Sequence, residues 1–303
     1  MAVMTLQQFR EIVEPLMNQP FDGVYKMTPT EWDKFFTVER ALERSLQNDP
    51  TIYGLGVATQ KPEGQNFASD QGGIAYTVPY VQKVYGIMTY MTQELIEDGD
   101  HISFGRIFAE HMARAMLNAK EIQHANVLNF AINASYIGGD GKPLLATDHP
   151  LANGGTFSNR LGTPANISET SLEQLLVQAR ICPDERGLRG MMLNIKRLLV
   201  SPENEYNATR IVQSPLRSGT GNNDINATKY LGKIPEVMVI SRLTNTTFYG
   251  LQTDVPRGFI HKVRRPVQRK MEGDFNTGNM RYKSDERYAL NWQDPRVIFG
   301  NAS

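Results

Sequence analysis

Five histidines, His101, His111, His124, His149 and His261, are the side chains in this sequence that could bind a metal or relay a proton, and their spacing favours neither role. His111 and His124 fall on one predicted helix but lie roughly 20 Å apart along it, too far to share an ion. Solvated or hydrogen-bonded rings are the expectation. Cys182 is the single cysteine, so an internal disulfide and a multi-cysteine zinc site are excluded. It stands beside Pro183 with no basic neighbour to stabilise a thiolate, which predicts inert burial. Gly139-Asp140-Gly141-Lys142 is superficially like a phosphate-binding turn, but Pro143 stands where a helix opening with Ser or Thr is needed. The sequence has no Gly-x-Ser-x-Gly elbow and no His-Glu-x-x-His. The strongest local charge feature is Lys262, Arg264, Arg265, Arg269 and Lys270. It reads as a solvated strand face or a set of inter-subunit ion pairs before it reads as a nucleic-acid contact. No catalytic constellation emerges, and no cofactor or metal is expected.

Composition points the same way. The 303 residues are 40% hydrophobic and 21% charged, ordinary values for a folded protein. Lys plus Arg equals Asp plus Glu at 32 each, so no net field draws the chain to nucleic acid or to an anionic membrane. The N-terminal residues Met1 to Gln8 carry neither a basic nor an apolar targeting pattern, and no apolar run is long enough to span a bilayer. A chain folded in a reducing cytosol, without a membrane anchor, is the expectation.

The elements that would position these residues follow from periodicity. Leu6 to Met17 and Pro29 to Ser45 suggest two modest helices forming an arm, broken by Pro20, Gly23 and Pro29. From Tyr53 the period becomes two: Ile74, Tyr76, Val78 and Tyr80 alternate, then Val84, Met88 and Tyr90. Between the halves lies a polar tip, Gln60 to Gly73, too long for a tight turn. Ile102 to Ser135 reads as one amphipathic helix of roughly 50 Å, capped by Asp100 or Ser103 and stopped by Gly138 and Gly139. Its apolar stripe is expected to be Phe104, Phe108, Met112, Ala115, Ala119 and Ile122, opposite Arg106, Glu110, Arg114 and Glu121. On that reading Phe108→Asp destabilises the subunit by placing an unpaired charge in its core. A turn-rich stretch, 136–168, follows. Thr170 and Glu173 fit a capping box ahead of Leu172, Leu175, Leu176 and Ala179. Arg197 to Val200 is a buried strand, and Ser201-Pro202-Glu203 opens a helix through Ile211. Val237 to Ile240 and Thr247 to Leu251 are further strands, as are parts of 259–300. The class is α+β.

The order of these elements resembles the major capsid proteins of tailed bacteriophages with the Hong Kong 97 fold, in particular a Mu-like branch. Gly139-Asp140-Gly141-Lys142-Pro143-Leu144 with Asp148-His149-Pro150, Leu198-Leu199-Val200-Ser201-Pro202 ahead of a helix with Ala208, and Asp294-Pro295-Arg296-Val297-Ile298-Phe299 are the phrases that carry the likeness. It implies an N-terminal arm (1–50), an extended hairpin or E-loop (51–98), a spine helix with its insertion (99–168), an axial domain (169–258) and C-terminal strands returning to the peripheral domain (259–303). It also implies a non-enzymatic shell subunit forming pentamers and hexamers around double-stranded DNA, in a virion assembled in a bacterial cytoplasm. Expected partners are further copies of the chain, a separate scaffolding protein, a portal, and DNA through weak non-specific contact; no membrane is involved. An encapsulin-like compartment and an α+β enzyme are the alternatives. Lys61 stands where some relatives carry a crosslinking lysine, with no identifiable Asn partner. The resemblance makes Lys61, Glu63, Phe67, Tyr76, Tyr80, Arg106, Glu110, Arg114, Arg264, Arg265 and Arg269 the subunit-interface candidates. A hairpin bearing Tyr76, Val78 and Tyr80 is expected to find little of its own subunit to bury against, and to gain roughly 25 cal/mol per Å² of apolar surface by lying on a neighbour.

Overall fold

The computed structural model describes residues 6–41, 44–92, 101–217, 224–274 and 277–302. In chain order the principal elements are α1 (Leu6–Met27), α2 (Trp32–Phe35), β1 (Thr37–Arg40), β2 (Leu46–Tyr53), β3 (Gly73–Val81), β4 (Lys83–Met91) and α3 (His101–Asn129). Two short strands follow, β5 (His149–Pro150) and β6 (Thr156–Phe157), then α4 (Glu169–Ile181), β7 (Ile195–Val200), α5 (Glu205–Gln213) and α6 (Ala227–Tyr230). The chain ends with β8 (Val237–Val239), β9 (Tyr249–Thr253), β10 (Phe259–Gly273), β11 (Met280–Trp292) and β12 (Ile298–Asn301). Contacts divide it into two units, one of residues up to Ser45, Val81–His124 and His261–Ala289, the other of Leu46–Tyr80, Ala125–Ile260 and the residues from Leu290 on.

The first unit is a sheet in the order β1-β10-β11-β4 with α1 and α3 packed on it. Strand β11 alternates cleanly: Met280, Tyr282, Ser284, Glu286 and Tyr288 are buried, and each faces a β4 residue in an antiparallel register running from Met280 opposite Met91 to Tyr288 opposite Lys83. Helix α1 runs through Pro15 and Pro20 instead of breaking there. An interior proline costs about 3 kcal/mol, but the face Met17, Phe21, Val24 and Tyr25 is held in a cluster with Met112, Met116, Met271 and Tyr282, and this packing outweighs the loss. The expected second helix, Pro29 to Ser45, is replaced by one turn and a strand. Phe35 and Phe36 point inward at the end of α2, and Thr37–Arg40 is drawn into the sheet edge beside β10.

Helix α3 has 29 residues, about 44 Å at 1.5 Å per residue, and it stops short of the expected Ser135. The Ala131 amide bonds back three residues to Leu128, and the Ala131 carbonyl is taken by the Leu145 amide, so the ladder ends. Of the predicted capping groups, Asp100 lies outside the described residues and Ser103 falls within the helix. Its buried stripe is also rotated from the expected one. Ala109, Met112, Ala113 and Met116 are buried, whereas Phe104, Phe108 and Ile122 are each more than 40% exposed. Two apolar stripes compete on this helix. Gly105, Ala109 and Ala113, small residues four apart, let α1 approach closely, and Met17 sits against Gly105.

The second unit centres on a sheet in the order β12-β9-β7-β8, with β7 parallel to β8 and antiparallel to β9. Leu172, Leu175 and Ala179 of α4 and Ala208 and Val212 of α5 cover Leu198, Val200, Leu251 and Phe299. The cap of α4 lies two residues before the expected box: the Ser168 side chain accepts from the Ser171 amide at 3.2 Å, and the Ser171 hydroxyl accepts from the Ser168 amide at 2.9 Å. Ser201 makes no side-chain cap, and a 3-10 turn over Pro202–Asn204 leads into α5. The turn-rich stretch is pinned by His149, whose Nδ1 meets Asp140 at 2.6 Å and whose Nε2 meets Asn159 Oδ1 at 3.1 Å; Asn159 in turn donates to the carbonyls of Leu144 and Pro295.

Candidate assembly surfaces

Strands β2 and β3 pair as a two-stranded ribbon, and residues 54–72 join them. Apart from half-buried Gly56 every residue of this loop is exposed, including Leu55, Val57 and Phe67, the last at 80%. Lys61 places its ammonium 4.6 Å from the centre of the Phe67 ring, and Glu63 is open to solvent. The loop is nevertheless fixed at its root. Arg186 Nε donates to the Gly54 carbonyl at 3.0 Å, Nη2 donates to the Gln71 carbonyl at 2.5 Å, and Nη1 meets both Asp70 carboxylate oxygens at 2.7 and 2.9 Å. The Gly56 amide donates to the same carboxylate at 2.7 Å. That amide, and then the guanidinium, hold the Asp70 carboxyl below the usual range. Gly72 and Gly73 are needed here because a Cβ would fall 2.7 Å from the Tyr53 carbonyl oxygen and 2.5 Å from its hydroxyl. Arg186 is itself presented by a tight turn. Asp184 Oδ1 accepts from the Arg186 and Leu188 amides, and Gly187 takes φ 80.

The stem of the ribbon differs from expectation. Val78 and Tyr80 are fully buried within the chain. Tyr80 donates to Gln293 Oε1 and Tyr76 to the Gln293 carbonyl, both at 3.1 Å, while Gln293 Nε2 reaches Thr51 Oγ1 at 2.7 Å. Burial, then the negative charges of Asp294 and Glu185, keep the Tyr76 hydroxyl protonated far above its ordinary range. Tyr80 is therefore corrected from a subunit-contact candidate to a core residue, and the apolar groups open to a neighbour lie in the loop instead. Gln293, near the end of the chain, is the partner that spacing in sequence gave no means of finding.

Arg106 and Arg114 are exposed on α3, and Arg106 Nε lies 3.4 Å from Glu110 Oε1. Phe104, Ile107 and Phe108 are exposed around them. In the basic run Arg265 pairs with Asp285, Arg269 pairs with Asp22, and Arg264 is half-buried. The run is thus largely neutralised by its own chain. The Cys182 thiol is buried, and burial pushes it up to about 11. Among the described residues no group of three or more His, Cys, Asp or Glu could hold a metal, and no helix is long and apolar enough to cross a membrane.

These surfaces belong to a known kind of object. The phage capsid protein family matches residues 75–301, and the chain belongs to that family. Solved structures with the same Hong Kong 97-like fold include a chain from the capsid of cyanophage P-SCSP1u (12% identity, TM-score 0.54, covering 90% of this chain and 88% of that one). Others are the capsid of Myoviridae phage XM1 (10%, 0.53, 88% and 89%) and the procapsid of bacteriophage JBD30 (12%, 0.52, 99% and 76%). No curated protein sequence matches this chain. It is a major capsid protein, a structural subunit of an icosahedral shell and part of the virion, and not an enzyme.

Proposed function

We propose that the shell is built from pentamers and hexamers of this chain and encloses the double-stranded DNA genome of a tailed bacteriophage. Within it, loop 54–72 lies on a neighbouring subunit. The observation that carries this reading is the loop itself: Leu55, Val57 and Phe67 are exposed on a segment whose root is held by four bonds from Arg186. An apolar loop fixed in place but uncovered by its own chain gains burial when a second copy arrives. Lys61, Glu63 and Phe67 on the loop, Tyr76 at its stem, Arg106, Glu110 and Arg114 on α3, and Arg264, Arg265 and Arg269 on β10 are the proposed interface residues, with the paired arginines contributing through rearranged ion pairs. Residues 1–50 serve as the arm, 51–98 as the E-loop, 99–168 with 259–303 as the peripheral domain and 169–258 as the axial domain. The phrase 139–150 supports a Mu-like branch. A separate scaffolding protein and a portal complete assembly in the bacterial cytoplasm, and DNA is contacted weakly. Negative-stain microscopy of the protein expressed with and without its neighbouring genes tests this: closed shells of uniform size are expected with them, and a failure to form any ring or shell in either case contradicts it.

A further inference from the structure

We propose that the stacked imidazoles of His124 and His261 form an acid-sensitive latch that holds the arm segment around Trp32 and Phe36 against α3 and the sheet of the first unit. The hydrogen-bond logic fixes both tautomers. His124 Nδ1 lies 2.6 Å from the Lys120 carbonyl, which only accepts, so Nδ1 carries the proton and Nε2 is the acceptor. His261 Nδ1, 2.9 Å from that Nε2, must therefore donate. A proton added to His124 Nε2 turns it into a donor facing the His261 Nδ1 proton, so the bond is lost unless His261 shifts its own proton to Nε2. Both rings are almost wholly buried. Trp32 stacks on His124 at 4.5 Å and lies 4.8 Å from His261, and Phe36 meets His124 edge-on at 4.6 Å.

Every element around the pair makes a second charge unwelcome. On α3, Lys120 is buried with its ammonium 2.7 Å from Glu286 of β11 and from the Tyr25 hydroxyl of α1. Tyr288 of β11 stacks on both rings, and Tyr85 of β4 stacks on Tyr288. Glu121 of α3 accepts the Glu31 amide at 2.7 Å, and Lys262 of β10 is paired with Glu39 of β1. The Glu286 carboxylate is already matched in charge by Lys120. Desolvation accordingly lowers His124 to about 3 and His261 to about 2. Once the arm lifts, the rings meet water and take up protons near 6.5. Below that pH the opening equilibrium rises about tenfold per pH unit for each ring protonated on opening.

The test uses the full chain and follows hydrogen exchange of residues 28–41, corrected for intrinsic rates, together with Trp32 emission in a Trp292→Phe background. The expected result is a rise in arm exchange and a change in Trp32 emission as pH falls from about 7 to about 5, with β7 and β9 still protected, and a flat profile in His124→Phe/His261→Phe. That double change replaces both hydrogen-bond partners by apolar rings of similar shape, so neither is left unpaired. An arm that exchanges independently of pH overturns the latch, as does an unchanged profile in the double variant, which would assign the effect to Glu286 or Glu39. Should the double variant fail to fold, His261→Phe alone decides, since the latch requires a shallower pH slope from it and an unchanged slope refutes it.

Discussion

The Arg186 guanidinium meets the Asp70 carboxylate at 2.7 Å and bonds in the same stroke to the backbone at Gly54 and Gln71, so one side chain ties the outgoing and returning ends of loop 54–72. The partners are 116 residues apart in sequence. Replacing Arg186 with Ala should leave the thermal midpoint nearly unchanged, because the pair is solvent-exposed, while loop exchange accelerates and particle yield falls. A short Gly-Ser turn in place of residues 60–73 should act the same way and more strongly. Comparing calorimetry with particle yield checks both, and loss of cooperative folding in either variant would show that the loop belongs to the core.

The burial of α3 predicts opposite outcomes for the same chemical change at two residues of the expected stripe. Met112→Asp places a charge in a core shared with Met17, Phe21 and Tyr282 and should cost on the order of 3–5 kcal/mol. Phe108→Asp, on a residue 41% exposed, should cost under about 1 kcal/mol. Chemical denaturation of the free subunit measures both.

These two residues also show what sequence could and could not reveal. The long helix, the polar hairpin tip and the helix-and-strand order of 169–258 were legible because each is a local periodicity. The rotation of α3 was not: Phe108 and Ala109 both sit on three-four apolar repeats, and only the approach of α1 over Gly105 decides between them. The arm was misread for a related reason, since the propensities of residues 29–45 say nothing of a vacant sheet edge beside β10. Likewise Tyr80 alternates like any strand residue, and its burial depends on Gln293 more than 200 positions away. For the loop, sequence offered Asp70 as one polar residue among many, while its partner lay in a turn built by Asp184 and Gly187.

Lys120 and Glu286 form a buried ion pair at 2.7 Å, their side chains 10% and 4% exposed. Lys120→Met alone strands the carboxylate and should destabilise the first unit by about 3–5 kcal/mol. Adding Glu286→Leu should recover much of that, leaving mainly the lost bond from Tyr25. Urea titrations of the two single variants and the double measure the coupling, and strict additivity would contradict it.

Carboxylate and imidazole responses to acid should separate. Asp70 is held below its ordinary range, so its contribution is present above about 4 and is lost only as pH falls below that. The histidine pair is depressed from 6.5, so stability is full above 6.5 and declines as pH falls toward 3, by about 1.4 kcal/mol per pH unit for each ring protonated on unfolding. Exchange at loop 54–72, corrected for intrinsic rates, should therefore hold constant from about pH 7 to about pH 5, while global stability, read by pH-dependent urea titrations, falls.

DNA binding by the free subunit should be weak and should fade steeply with salt, since acidic and basic residues balance at 32 each and Arg265 and Arg269 are engaged by Asp285 and Asp22. Filter binding at two salt concentrations checks it, and tight, sequence-selective binding at physiological salt would contradict the assignment of these arginines.

Sedimentation velocity of the full chain under assembly-permissive conditions tests the central claim most directly. A shell subunit predicts ring-sized capsomers or megadalton particles that grow at the expense of the 34.1 kDa monomer as concentration rises. A chain that stays monomeric across the whole concentration range, with the proposed scaffolding protein present, would contradict it.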